Sequence, residues 1–218
     1  IKIPPQPINK ETEKKNLKAQ ITEITHLVMK EKPFTSFMAK RFIFFAGSAM
    51  VSPLIPLYLV RVVGATDGWI SIINTSQTAI LVIGYFLWTR FGKQRGIRSV
   101  LLWTTLGLSL YPFFLSLIRL PWQIALLAGF AGIFQAGLDL VFFDVLMQTV
   151  PPEFSALFVG VAQSMQFLAT IVSPLIGTLI ADTWGLPIGL AVAALIRFIG
   201  FLLFALNREK TKPAIAST

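Results

Sequence analysis

A chain of 218 residues with 55% hydrophobic and 13% charged side chains, 19 Phe among the former, is built for lipid, since an ordinary soluble domain carries about 25% charge. With no Cys and a single His, disulfides, thiolate metal sites, a cysteine nucleophile and most histidine-based metal or acid–base sites are excluded. A net charge of +9 would point to nucleic acid in a soluble protein, but its distribution argues otherwise.

Of 19 Lys and Arg, nine lie in residues 1–41, four in 90–98 and three after Leu206, so sixteen share one set of ends. Arg61 and Arg119 lie at the opposite set and Arg197 inside a span. This is the positive-inside pattern, and it places both ends of the chain in the cytoplasm of a multi-pass cell-membrane protein.

The chain opens on Ile1 without a signal-peptide pattern and reads as beginning inside a longer protein. Residues 1–41 divide into a Pro-rich start and a charged stretch, 11–31, with Leu17, Ile21, Ile24 and Val28 at helical spacing, ended by Lys32-Pro33. They read as a cytoplasmic linker with an amphipathic helix on the membrane face; a solvated charged helix is the alternative, and His26 is a surface residue in either.

A transmembrane bundle follows over 42–206, with six apolar spans at 42–60, 69–89, 99–118, 122–147, 156–181 and 186–206, each near the ~20 residues that cross a bilayer. Trp69, Trp88, Trp122 and Trp184 fall at span ends, as interfacial anchors do. Pro53 and Pro56 should interrupt the first span's hydrogen-bond ladder and bend it. The second span puts Asn74, Gln77, Thr78, Leu81 and Tyr85 on one face, and the fifth does the same with Gln163, Gln166, Thr170, Ser173 and Gly177. Polar amides are costly against lipid, so both stripes should face protein or water, as interhelical glue or as the lining of a cavity for a polar solute.

In the fourth span Gly129, Gly132, Ala136, Asp139 and Phe143 share a face, and Asp144 lies about 140° round from Asp139, near the cytoplasmic end. The sixth span carries Gly185, Gly189, Ala193 and Arg197 at i, i+4 spacing, aiming Arg197 into the bundle. Asp139 is the only acidic residue at comparable depth, so a buried ion pair between Asp139 and Arg197 is expected; Asp139 facing a cavity as a proton or substrate site is the alternative. With Arg197 counted as the only cation within a span, the stripes favour polar or amphipathic solutes over strongly anionic ones. Residues 207–218 read as a polar cytoplasmic tail.

Between the second and third spans lies a short basic hairpin whose Gly-Tyr-Phe-Leu-Trp-Thr-Arg-Phe-Gly-Lys-Gln-Arg (84–95) resembles the major facilitator superfamily loop signature, Gly-x-x-x-Asp-Arg-x-Gly-Arg-Arg. Arg90, Gly92 and Lys93 match and Arg95 follows, whereas Thr89 replaces the Asp and Tyr85 stands where the first Gly belongs, with Gly84 one place early. The resemblance extends over six spans, the proline-bearing first span and Val-Pro-Pro-Glu at 150–153. It implies an all-α membrane protein, half of a 12-helix fold with a 3+3 inverted repeat, here the second half preceded by the central cytoplasmic loop. It also implies transport of a small solute by alternating access with a missing N-terminal six-helix half, stripes bordering the central cavity, proton coupling through a carboxylate such as Asp139, and a loop Arg, Arg90 or Arg95, paired with Asp144. A self-contained six-span protein, as a homodimeric carrier or a non-transporting scaffold, is the competing reading. No metal-ligand spacing, Gly-x-Ser-x-Gly elbow or converging carboxylate pair is present, so neither an enzyme nor a cofactor is expected, and the partners are lipid, the other half and the solute.

Overall fold

The computed structural model describes residues 26–150 and 154–206, so the linker before residue 26, Pro151-Pro152-Glu153 and the tail lie outside the described residues, as does most of the expected amphipathic helix. Residues 26–30 are helical, and Leu27 and Val28 pack against the core. Among the described residues six helices are long and apolar enough to cross a membrane: α1 (Lys32–Tyr58), α2 (Asp67–Arg95), α3 (Ile97–Leu117), α4 (Pro121–Thr149), α5 (Ser155–Trp184) and α6 (Leu186–Leu206).

The helices overrun the apolar spans at the basic ends. Pro33 sits in the first turn of α1, where its missing N–H is not needed, so the helix starts at Lys32 and takes Lys40 and Arg41 into the bundle. The 90–98 stretch is not a hairpin loop either. α2 continues to Arg95 and the chain turns on Gly96 alone, at φ 82°, a backbone state that costs glycine little. Nor do Pro53 and Pro56 break α1, which runs through both; a π-helical turn at Leu59–Val63 follows and ends on Gly64 at φ 66°. Pro56 removes the donor that Ser52 would receive, and the wider turn lies just beyond that gap.

α2 packs most extensively on α4, α1 on α6 and α5, and α3 on α6 and α4, while α1 and α4 touch only lightly. Each three-helix unit thus lends its middle helix to the first helix of the other unit. The sequence carries the same symmetry: a shift of 89 positions takes Asn74 to Gln163, Gln77 to Gln166, Thr89 to Thr178 and Gly96 to Gly185, and Gly185 also has positive φ, 94°, before α6.

Two apolar clusters fill the bundle. At the basic end Phe34, Phe37, Phe44, Phe142, Phe158 and Phe204 are buried together; at the other, Met50, Leu54, Tyr58, Leu115, Ile124 and Leu190. Tyr58 Oη donates to the Ile118 carbonyl at 2.9 Å, occupying an acceptor beyond the end of α3. Glycines set the spacing. A Cβ on Gly132 would overlap the Gln77 carbonyl, one on Gly84 would lie 2.9 Å from Ala136 Cβ, and one on Gly200 would lie 2.9 Å from Phe44 Cβ. Trp88, expected as an interfacial anchor, is instead wedged between α2 and α4, its indole N–H donating to the Ile133 carbonyl at 2.7 Å.

Candidate functional site

α2 and α5 are the least covered helices: 11% and 22% of the residues along their apolar stretches are buried, against 39% or more in the others. These are the two helices that carry the amide stripes. Asn74, Thr78, Gln163 and Thr170 are exposed, and Gln77 and Gln166 are half-buried. Thr78 and Thr170 donate to the carbonyls of Asn74 and Gln166 one turn back, at 3.0 and 2.9 Å, which satisfies the hydroxyls locally and leaves the amides to define the chemistry of each face.

Asp139 opens onto the surface of α4 beside α2. Gln135 Nε2 donates to Asp139 Oδ1 at 2.8 Å and Tyr85 Oη donates to Oδ2 at 3.2 Å. Gln135 stands one helical turn before Asp139, so its bond follows from i, i+4 spacing. Tyr85 reaches across because Gly84 lets α2 approach α4. The three side chains form a small polar centre in which a carboxylate accepts from two neutral donors. No cation pairs with it among the described residues.

The expected Asp139–Arg197 ion pair is therefore not formed. Arg197 is buried on α6 and faces α1, with its Cγ 2.7 Å from where a Gly47 Cβ would lie and its guanidinium 5.1 Å from the centre of the Phe44 ring. Its Nε has no hydrogen-bond partner. Gly189 and Ala193 do aim Arg197 inward, but the helix that exploits them is α1, and α4 and α6 share no extensive contact.

Asp144 is exposed and pairs with neither Arg90 nor Arg95 among the described residues. Because α2 is helical to Arg95, the basic side chains follow helical directions. Arg90 and Lys93 line a shallow exposed surface with Tyr85, Phe86 and Thr89, and the Arg95 guanidinium lies 5.9 Å from the Phe91 ring centre. Arg98 donates to the Ala205 carbonyl at 3.5 Å, near the end of α6.

The residue that sequence reasoning missed is Arg41. It is 8% exposed, and its Nη2 donates to Gln166 Oε1 at 2.8 Å. Its guanidinium carbon lies 5.1 and 5.6 Å from the ring centres of Phe45 and Phe142. The signal was the i, i+3, i+4 spacing of Phe34, Phe37, Arg41 and Phe44, which puts Arg41 on the buried face of α1.

The sequence model of the Major Facilitator Superfamily matches residues 39–218. Curated relatives include an uncharacterized MFS-type transporter, YuxJ, of Bacillus subtilis, 24% identical over 162 residues, covering 72% of this chain and 41% of that protein. The multidrug resistance protein MdtG of Dickeya zeae is 26% identical over 177 residues, covering 78% and 43%, and MdtG of Salmonella choleraesuis is 26% identical over 173 residues, covering 77% and 43%. The chain thus spans less than half the length of the relatives it matches. A match over residues 39–218, together with six membrane-length helices arranged as two exchanged triplets, establishes that this chain belongs to the major facilitator superfamily.

Proposed function

We propose that this chain is the second six-helix half of a secondary transporter that moves a small solute by alternating access, with the sparsely covered faces of α2 and α5 turned toward the first half. The observation that carries this reading is the coincidence of exposure and polarity. The two least covered helices are the two with amide stripes, and an amide face against hydrocarbon leaves polar groups unsatisfied. In a two-half carrier that rocks about a midplane site, those faces form part of the wall of the water-filled cavity. Asp139, held by Gln135 and Tyr85, is the ionisable group of that wall, and we assign it the coupling proton.

Both ends of the chain lie in the cytoplasm in this reading, supported by the sixteen-to-two distribution of Lys and Arg between the two sets of ends. Thr66 and Gln94, at opposite ends of α2, are both exposed. Single cysteines at these positions in the Cys-free chain are expected to react with an impermeant maleimide from opposite sides of the membrane, position 66 from outside and position 94 from inside. Reaction of both from one side contradicts the topology.

A further inference from the structure

Arg41 presents an unmet chemical demand. It lies one residue before the apolar span 42–60, about 15 Å along α1 from the middle of that span at 1.5 Å per residue, at the edge of the hydrocarbon. It is more than nine-tenths buried. Its Nε and Nη1 have no hydrogen-bond partner, and Nη2 is met only by the neutral amide oxygen of Gln166. A guanidinium so buried ordinarily pairs with an acid, yet none is within ion-pair range among the described residues.

We propose that Arg41 and Gln166 form a binding site for a carboxylate carried on an apolar body, with the Gln166 amide holding the acceptor position while the site is empty. Four features support it. Nε and Nη2 lie on the same edge of a guanidinium, so withdrawing Gln166 from Nη2 opens both donors for a two-bond fork to one carboxylate. A carboxylate brings a full opposite charge and a second, parallel bond where the amide oxygen offers one bond and no charge, so a carboxylate displaces the amide. Gln166 has somewhere to go, because it is half-buried beside the exposed Gln163 and Thr170. The Phe45 and Phe142 rings flank the guanidinium and offer apolar walls to the remainder of the ligand. Arg41 also weakens the argument from composition against anionic solutes, because Arg197 is not the only arginine buried in the bundle.

The inference rests on the transport reading only in making this carboxylate the transported solute; occupancy of the site is read by binding. Purified full-length protein in detergent is titrated calorimetrically with benzoate and with benzamide, its uncharged isostere. Saturable binding of benzoate and none of benzamide is expected. Arg41→Gln weakens benzoate binding by at least tenfold, and Arg41→Lys weakens it too, since an ammonium cannot make the fork. Gln166→Glu keeps Arg41, supplies it with a resident carboxylate, abolishes benzoate binding and raises the melting temperature. This last variant keeps the test decisive even where Arg41→Gln fails to fold. Absence of benzoate binding to the wild type, equal binding to Gln166→Glu, or equal binding of benzamide overturns the site. Benzoate binding without vesicle uptake or efflux of any solute leaves the site standing and contradicts transport; transport without benzoate binding does the reverse.

Discussion

Replacing Asp139 with Asn is expected to leave a folded protein that has lost proton-driven net transport. Asn is nearly isosteric and still offers Tyr85 an acceptor, so the α2–α4 contact survives. What is lost is the group to which we assign the coupling proton. Removing a positioned proton-carrying side chain typically costs about a hundredfold or more, and a loss of that size in net flux is predicted. Solute exchange at equal pH on both sides, which needs no net proton movement, should persist. That split separates a coupling residue from a structural one, since a structural defect lowers both rates. Tyr85→Phe removes one neutral hydrogen bond to the carboxylate and is expected to lower net flux by up to about tenfold, with exchange again retained. Equal loss of flux and exchange in Asp139→Asn contradicts the assignment.

The largest effect on stability is expected at Gly132. A Cβ there would overlap the Gln77 backbone carbonyl and lie 3.2 Å from the Leu81 amide nitrogen, both part of the rigid α2 backbone, so no rotamer change can relieve it. The two helices with the most extensive contact in the bundle would have to move apart. Overpacking costs typically about 1–3 kcal/mol, and with backbone as the obstacle Gly132→Ala is predicted at the top of that range. Gly132→Leu should abolish recovery of monodisperse protein. Gly160, on α5, has nothing within 4 Å of where its Cβ would be. Gly160→Ala is the control, expected to hold or slightly raise the melting temperature because alanine is the better helix former. A Gly132→Ala protein that melts with the wild type would show that α2 and α4 are not packed as described.

Properties summed along the chain were legible in the sequence. Six apolar stretches of membrane-crossing length, the excess of basic residues at one set of ends and the polar stripes on the second and fifth spans are one-dimensional signals, and six helices with polar stripes on α2 and α5 are present. Helix ends were less legible because hydrophobicity marks where lipid stops rather than where the backbone hydrogen bonds stop. α1 and α2 run on through Lys40, Arg41, Arg90 and Arg95, whose long stems tolerate the boundary. The pairing of Asp139 with Arg197 failed for a different reason. Depth can be counted from sequence, but which neighbour a face meets depends on the exchange of helices between the two triplets, and that exchange puts α6 against α1 and α2 against α4. The shift of 89 positions linking Asn74 to Gln163 and Gly96 to Gly185 was available as a clue to that exchange, and aligning the two triplets by it marks α2 and α5 as equivalents.

The central claim, that the stripes on α2 and α5 line an aqueous cavity, is tested most directly by the water accessibility of single cysteines in the full-length protein in native membranes. Cysteines in place of Asn74, Thr78, Gln163 and Thr170 are expected to react with a charged, water-soluble methanethiosulfonate reagent, and a transported solute should slow the reaction. Cysteines in place of Phe114 and Phe130, exposed apolar residues of the α3–α4 surface, should remain unreactive. Protection of all four stripe positions together with reaction at Phe114 or Phe130 would contradict the account, because it would turn the stripes into buried glue between helices and put water on the opposite side of the bundle.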